Sequence, residues 1–219
     1  MLATLKQTGE LVEFFRRNGT KQVFKKHDYI VRPGETANSI FYIFQGLVKA
    51  YDITKYHEEN LLIIRKQDEF FPLIWAITGN SRDNIIYQAL APTVTYRVQR
   101  DQFIKFITHN PDALAPLLDV VTEMYRLHGD RILTLEYRTV RERIISFLVN
   151  MSGRFGQPED GGGIRIEVPL RHQDIASSVN ATRETTSREL SALERKGLID
   201  NRQSCIIIKD MAALEKHLG

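Results

Sequence analysis

Residues 171–197 read RHQDIASSVNATRETTSRELSALERKG, and the punctuation of this stretch leaves the backbone little choice. A short helix from His172 to Ser178 turns Ile175, Ala176 and Val179 inward. Asn180 tolerates left-handed backbone, so it suits a sharp corner. Thr182 can offer its hydroxyl to a free amide at the start of a second helix. That helix runs to Lys196 and stops at Gly197, a residue that ends helices without a Cβ clash. The pattern predicts two short helices meeting at a tight corner.

Projected at about 100° per residue, the second helix places Thr186, Leu190 and Leu193 on one side. Arg183, Glu184, Ser187, Arg188, Ser191 and Arg195 fall on the other. A solvated helix face usually mixes lysine and glutamate, and an ordinary face of that kind is the plain alternative. Here two arginines, a glutamate and small hydroxyls gather near the N-terminal end. An arginine fork matches the two acceptors of guanine, and glutamate accepts from the cytosine amino group, so the face suits the major groove of DNA. Thr182, Thr185 and Ser187 complete the set. His172 and Gln173, at the start of the first helix, are placed to donate to phosphate through side chains and free amides. Behind the second helix, the turn-like residues 200–204 and the β-run CIIIK predict a hairpin. This is the layout of a winged helix-turn-helix, whose wing touches the phosphate backbone.

A second strong pattern precedes it. Asn110 and Pro111 open a long helix in which Leu114, Leu118, Val121, Tyr125, His128, Ile132 and Leu135 are spaced alternately by four and three. Such an unbroken seam predicts a coiled-coil dimer. Leu117 and Met124 widen the stripe, so a helix packed on its own core is the competing reading. His128 on the seam would fix register; a titrating group or an effector contact is the alternative role.

Residues 21–99 follow a β rhythm. Short runs rich in branched and aromatic residues lie at 23–24, 29–31, 39–44, 47–51, 60–65, 85–90 and 94–98. Turn residues separate them, among them Pro33-Gly34-Glu35, Gln45-Gly46 and Ala91-Pro92. Many short strands in so little chain predict an antiparallel β-roll or jelly roll. An amphipathic helix before Asn18-Gly19, a short helix over 103–111, a helix from Val140 to Met151, a loop over 153–163, a strand within 161–168 and a last short helix complete the reading. The fold class is α+β, with a sensor domain over 1–110, a coupling helix over 111–137 and a DNA-binding domain over 138–219.

Composition sets the remaining limits. With 219 residues, 42% hydrophobic and 26% charged, the chain has the make-up of a globular protein with room for one or two cores. Its net charge of only +3 makes local arginine clusters matter more than the total. The single cysteine, Cys205, excludes an intrachain disulfide and a four-cysteine iron–sulfur cluster. No run of about 18 apolar residues and no signal-peptide core occurs, so no membrane association and a cytoplasmic location are expected. Metal-dependent chemistry of the cupin type needs clustered ligands on strands, and the roll has only His27 and His57, without matching carboxylates. A haem-based gas sensor with His128, His57 or another histidine as ligand is a further alternative, although no local motif supports it.

TRETTSRELSALERKGLI, residues 182–199, resembles the recognition helix and wing of the Crp/Fnr family of bacterial transcription regulators. The resemblance extends more weakly over nearly the whole chain. It implies that Arg183, Glu184 and Arg188 stand where that family reads base edges, at half-sites such as TGTGA or TTGAT. It implies as partners a second copy of the chain, double-stranded DNA with an inverted repeat, and RNA polymerase. A parallel pair of long helices would place two reading helices roughly 34 Å apart. RPGETANSIFYIFQGLVKAY is similar to the start of the cyclic-nucleotide-binding fold. The cassette that should follow departs from the pattern. Pro72 and Leu73 stand where a Gly-Glu pair belongs, and Asp83-Asn84 where Arg-Ser belongs, with Arg82 one residue early. An anionic ligand needs a fixed positive fork and amide donors, so cyclic AMP is not the expected effector. Two readings of the aromatic stretch remain open. It is either core, or a pocket for an apolar or aromatic effector formed by Phe70, Phe71, Trp75, Arg82, Asn84, Tyr125 and His128. A constitutive regulator without effector is a further alternative.

Overall fold

The computed structural model describes residues 9–32, 35, 38–79, 85–160, 162–202 and 205–218. The chain divides into two compact units, residues 1–52 with 62–127, and residues 53–61 with 128–219.

In the first unit, helix α1 (Gly9–Asn18) buries Leu11 and Phe15, four residues apart on one face. It is followed by β1 (Thr20–Phe24), β2 (Tyr29–Val31), β3 (Ser39–Gln45), β4 (Val48–Ile53), β5 (Glu59–Arg65) and β6 (Phe70–Phe71). Helix α2 (Leu73–Thr78) leads to β7 (Ile86–Ala89), β8 (Thr93–Gln99) and helix α3 (Arg100–His109). One sheet has the order β1-β8-β3-β6 and the other β2-β7-β4-β5. Strand β3 explains the arrangement. Its SIFYI run is buried on both faces, as continuous apolar strands are. Ile40 and Tyr42 enter a cluster with Leu11, Phe15, Phe70, Trp75 and Phe103, between sheet and helices. Phe41 and Ile43 enter a second cluster with Val31, Val48, Ala50, Phe71 and Tyr87, inside the roll. Between β3 and β4, Gly46 sits at φ +102°, and a Cβ there would meet the Pro92 carbonyl oxygen at 2.4 Å. Only glycine fits that turn.

The expected β-runs form, and the aromatic stretch does more than a loop would. Phe70 and Phe71 add a strand to β3, with Phe41 opposite Phe71 and Tyr42 opposite Phe70. Pro72 then precedes α2 as its N-cap, in extended backbone at φ −78° and ψ 113°. Of the expected turn at 33–35, Pro33 and Gly34 lie outside the described residues; Glu35 donates its amide to the Arg32 carbonyl.

A 3₁₀ turn at Pro111–Ala113 leads into α4 (Leu114–Tyr137), which crosses from the first unit to the second. Leu117 and Val120, buried, and Met124, half-buried, pack on the α1–Phe70–Phe103 cluster. Leu114, Leu118, Val121, Tyr125 and Ile132 are exposed. The helix therefore carries two adjacent apolar stripes, one filled by its own roll and one open.

In the second unit, α5 (Val140–Phe155) starts at a capping box in which Thr139 and Glu142 satisfy each other's amides. It runs past Gly153, beyond the helix end expected from the sequence. Met151 and Phe155 extend the buried stripe of Ile144, Ile145 and Leu148, while Gly153 faces open space. That burial outweighs the propensity cost of one glycine, about 1 kcal/mol. Within the expected loop, β9 (Gly156–Pro158) pairs with β10 (Ile164–Ile166). Helices α6 (His172–Ser178) and α7 (Arg183–Arg195), strands β11 (Ile199–Arg202) and β12 (Cys205–Ile208), and α8 (Met211–Glu215) complete the unit. The sheet order is β11-β12-β10-β9.

Candidate nucleic-acid interface

The corner between α6 and α7 is built from local bonds. Asp174, 3% exposed, accepts from the Arg171 amide at 2.9 Å, from its Nε at 3.1 Å and from its Nη2 at 3.2 Å. The carboxylate raises the guanidinium pKa by hydrogen bond and charge, and it sits where the helix dipole favours an anion. Asn180 adopts φ +50°, as its side chain permits. The Ala181 amide reaches back to the Ala176 carbonyl at 3.1 Å. Thr182 Oγ1 accepts from the Thr185 amide at 3.2 Å and caps α7. Donors at Gly197 and Leu198 then close α7 on the carbonyls of Glu194 (2.8 Å) and Leu193 (3.1 Å). This is a Schellman ending around Gly197 at φ +72°.

Thr186, Leu190 and Leu193 are buried beneath α7. Arg183, Glu184 and Arg188 are exposed, and Ser187 is half-buried. Together with Ser191 these four line an open groove of about 450 Å³ along the outer face of α7. Arg141 Nε donates to Glu189 Oε2 at 2.7 Å and ties α5 to the flank of α7. Thr185 is half-buried at the cap, Gln173 is exposed on α6, and His172 is half-buried. His172 Nε2 lies 3.1 Å from Asn201 Nδ2, joining the start of α6 to β11. No spacing signal in the sequence marks that bond, because its partners are far apart in the chain.

The distribution of paired and unpaired arginines is uneven. On the wing, Arg202 Nε donates to Asp200 at 2.7 Å, and Lys209 lies 3.8 Å from the same carboxylate. Arg165 Nε donates to Glu159 at 2.6 Å, which lowers the glutamate's pKa and raises the arginine's. On α7, neither Arg183 nor Arg188 forms an ion pair among the described residues. Two free guanidinium forks at one helix end form a site for acceptor atoms of an anionic polymer.

Phe70 and Phe71, both expected to line an effector pocket, enter different core clusters. Phe70 lies against Phe15 and Tyr42, with ring centroids 5.2 Å away in each case. Phe71 points to the opposite face of the sheet. There it stacks on Phe41 at 5.2 Å and Tyr87 at 4.7 Å. Both rings are 0% exposed, because adjacent residues of a strand face opposite sides. Trp75 is 7% exposed, with Arg100 lying 5.9 Å from its ring centroid. Tyr125 is 82% exposed on α4, and His128 is half-buried one turn on. Arg82 and Asn84 lie outside the described residues. Of the two readings of the aromatic stretch, core packing describes Phe70, Phe71 and Trp75.

Residues 142–217 match a Crp-like helix-turn-helix domain, and residues 21–110 match a cyclic nucleotide-binding domain. The chain belongs to the Crp/Fnr family. Like the family's members it is a DNA-binding transcription regulator. It is 26% identical to a global nitrogen regulator of Synechocystis sp., over 97% of each chain. A CooA mutant from Carboxydothermus hydrogenoformans shares the fold with TM-score 0.81 at 20% identity, over 100% of this chain and 98% of that one. FixK2 from Bradyrhizobium japonicum does so with TM-score 0.77 at 21% identity, over 90% and 96%. The Synechocystis relative is a regulator rather than an enzyme of the cupin type. Among the described residues, no helix is long and apolar enough to cross a membrane.

Proposed function

We propose that this Crp/Fnr regulator acts as a homodimer that reads an inverted repeat with Arg183, Glu184 and Arg188. Ser187, Thr182 and Thr185 supply close polar contacts, and His172, Gln173 and the wing hold the phosphate backbone. The observation that carries this reading is the pair of exposed arginines on α7 that have no ion pair among the described residues, whereas Arg165 on β10 and Arg202 on β11 do. Arg183 and Arg188 contact guanines and Glu184 a cytosine, each bidentate pair discriminating by about 1–3 kcal/mol. The dimer is supported by the open stripe of α4, where Leu118 is 64%, Tyr125 82% and Ile132 62% exposed. Leu114, Val121, His128 and Leu135 complete the seam. RNA polymerase is a further partner of the DNA-bound pair.

The Phe41–Phe71–Tyr87 stack occupies the interior of the roll. This supports control by an effector other than cyclic AMP, and it equally favours a second reading in which the protein binds DNA with no effector. Selection of DNA sites from a random pool by the purified protein, with and without added cell extract, tests both. An inverted repeat with conserved guanines is the expected outcome. Enrichment without extract supports the effector-free reading. Arg183→Ala should cost about 1–3 kcal/mol and relax one position of the half-site. Unchanged affinity and sequence preference in that variant would remove the assignment of α7 as the reading helix.

A further inference from the structure

Where α4 meets α5, the second unit holds a crevice of about 390 Å³ lined by Asp130, Leu133, Thr134, Arg138, Ser146 and Asn150. Its size is in the range that takes small ligands. Five of the six lining side chains are polar, and Thr134 Oγ1 and Ser146 Oγ approach to 3.4 Å across the two helices. Arg138 Nη1 is buried and has no acceptor. Its charge is felt by Glu142. That carboxylate, however, turns Oε2 to the Thr139 amide and hydroxyl, both at 2.7 Å. A guanidinium nitrogen out of water without a partner costs free energy until an acceptor arrives.

The crevice also stays accessible in the proposed dimer. At about 100° per residue, Asp130 and Thr134 lie roughly 150–170° and Leu133 roughly 110° around α4 from the mean of the seam residues. A second copy zipped along the seam therefore leaves this side open. The lining dictates the chemistry of the guest. Arg138 calls for an oxyanion, whereas Asp130, Asn150, Thr134 and Ser146 suit hydroxyl groups. Among the described residues no aromatic side chain lines the crevice, so none of these stacks a base or ring.

We infer that this elbow is a binding site for a phosphorylated polyol, such as a sugar phosphate, with the phosphate on Arg138 and hydroxyls along α4 and α5. The ligand bridges the last turns of α4 to α5, the helix tied by Arg141 to the reading helix. Its effect on DNA rests on the regulator reading above; its binding does not.

The test is titration calorimetry on the full-length chain without DNA, using glucose-6-phosphate, glucose and inorganic phosphate. Saturable binding of the sugar phosphate, at least about tenfold tighter than either glucose or inorganic phosphate, is expected. Arg138→Gln should weaken it at least about tenfold and Asn150→Ala several-fold, with melting temperatures checked in parallel. If Arg138→Gln fails to fold, Asn150→Ala and Thr134→Ala carry the test. No saturable heat up to about 10 mM would overturn the inference. So would equal binding of inorganic phosphate, or loss of binding in Arg183→Ala but not in the elbow variants. A failed DNA selection with intact calorimetry would sink the regulator reading alone.

Discussion

Leu118 is 64% exposed on the open stripe of α4, while Leu117, its neighbour in sequence, is 3% exposed against the roll. Burying a whole leucine contributes about 1.5–3 kcal/mol. Covering the exposed 64% of Leu118 in a dimer is therefore worth about 1–2 kcal/mol per chain, or about 2–4 kcal/mol for the pair. Leu118→Ala should raise the dimer dissociation constant about 30- to 1000-fold. The fold of the subunit should be untouched, because the side chain contributes little to it. Leu117→Ala should behave in the opposite way, costing about 2–5 kcal/mol of stability through the cavity it leaves. Sedimentation velocity over a concentration series reads the first effect, and urea unfolding at matched concentration the second. The reasoning fails if the wild-type chain is monomeric at micromolar concentration. It also fails if Leu118→Ala dimerises as tightly as wild type.

Other outcomes follow from the packing. Phe71→Ala should cost about 3–5 kcal/mol in chemical denaturation, since the ring is fully buried between Phe41 and Tyr87. Gly46→Ala should destabilise the roll by about 1–3 kcal/mol in the same assay, because φ +102° and the Pro92 carbonyl both exclude a Cβ. Glu142 has its pKa held below the ordinary 4.5 by hydrogen bonds from Thr139. The ionised form is thus the one the fold prefers, and its contribution is present above pH 4.5 and lost as pH falls through the lowered value. Acid titration of helicity should show wild type losing its advantage over Glu142→Gln in that window. Equal slopes for the two proteins would mean that the cap does not depend on charge.

Much of the DNA-reading half is legible in one dimension because its signals are local. The bounds of α6 at His172 and Ser178, the corner at Asn180, the cap at Thr182 and the end at Gly197 each depend on residues within one turn. The β-runs of the roll are legible for the same reason, since alternation and turn residues act over a few positions. The pairing of strands is not. Phe70 and Phe71 read equally as a pocket wall or as core, and only their register beside Phe41 and Tyr42 sends the two rings to opposite sides. The end of α5 was hidden too, because Gly153 reads as a breaker unless the burial of Phe155 is known.

What the sequence by itself determined is therefore the set of local structures and the chemistry they carry: a capped helix bearing Arg183, Glu184 and Arg188, a long helix with an apolar seam, and a run of short strands. What the tertiary structure decided is which of those surfaces are used up. Folding covers Leu117 and Val120 but leaves Leu118 and Tyr125 open, and it neutralises Arg202 and Arg165 while sparing Arg183 and Arg188. Leu117 and Val120 are covered by residues distant in the chain, and whether a nearby carboxylate such as Asp200 or Glu159 turns to its arginine depends on how the strands carry them, so no local pattern settles either.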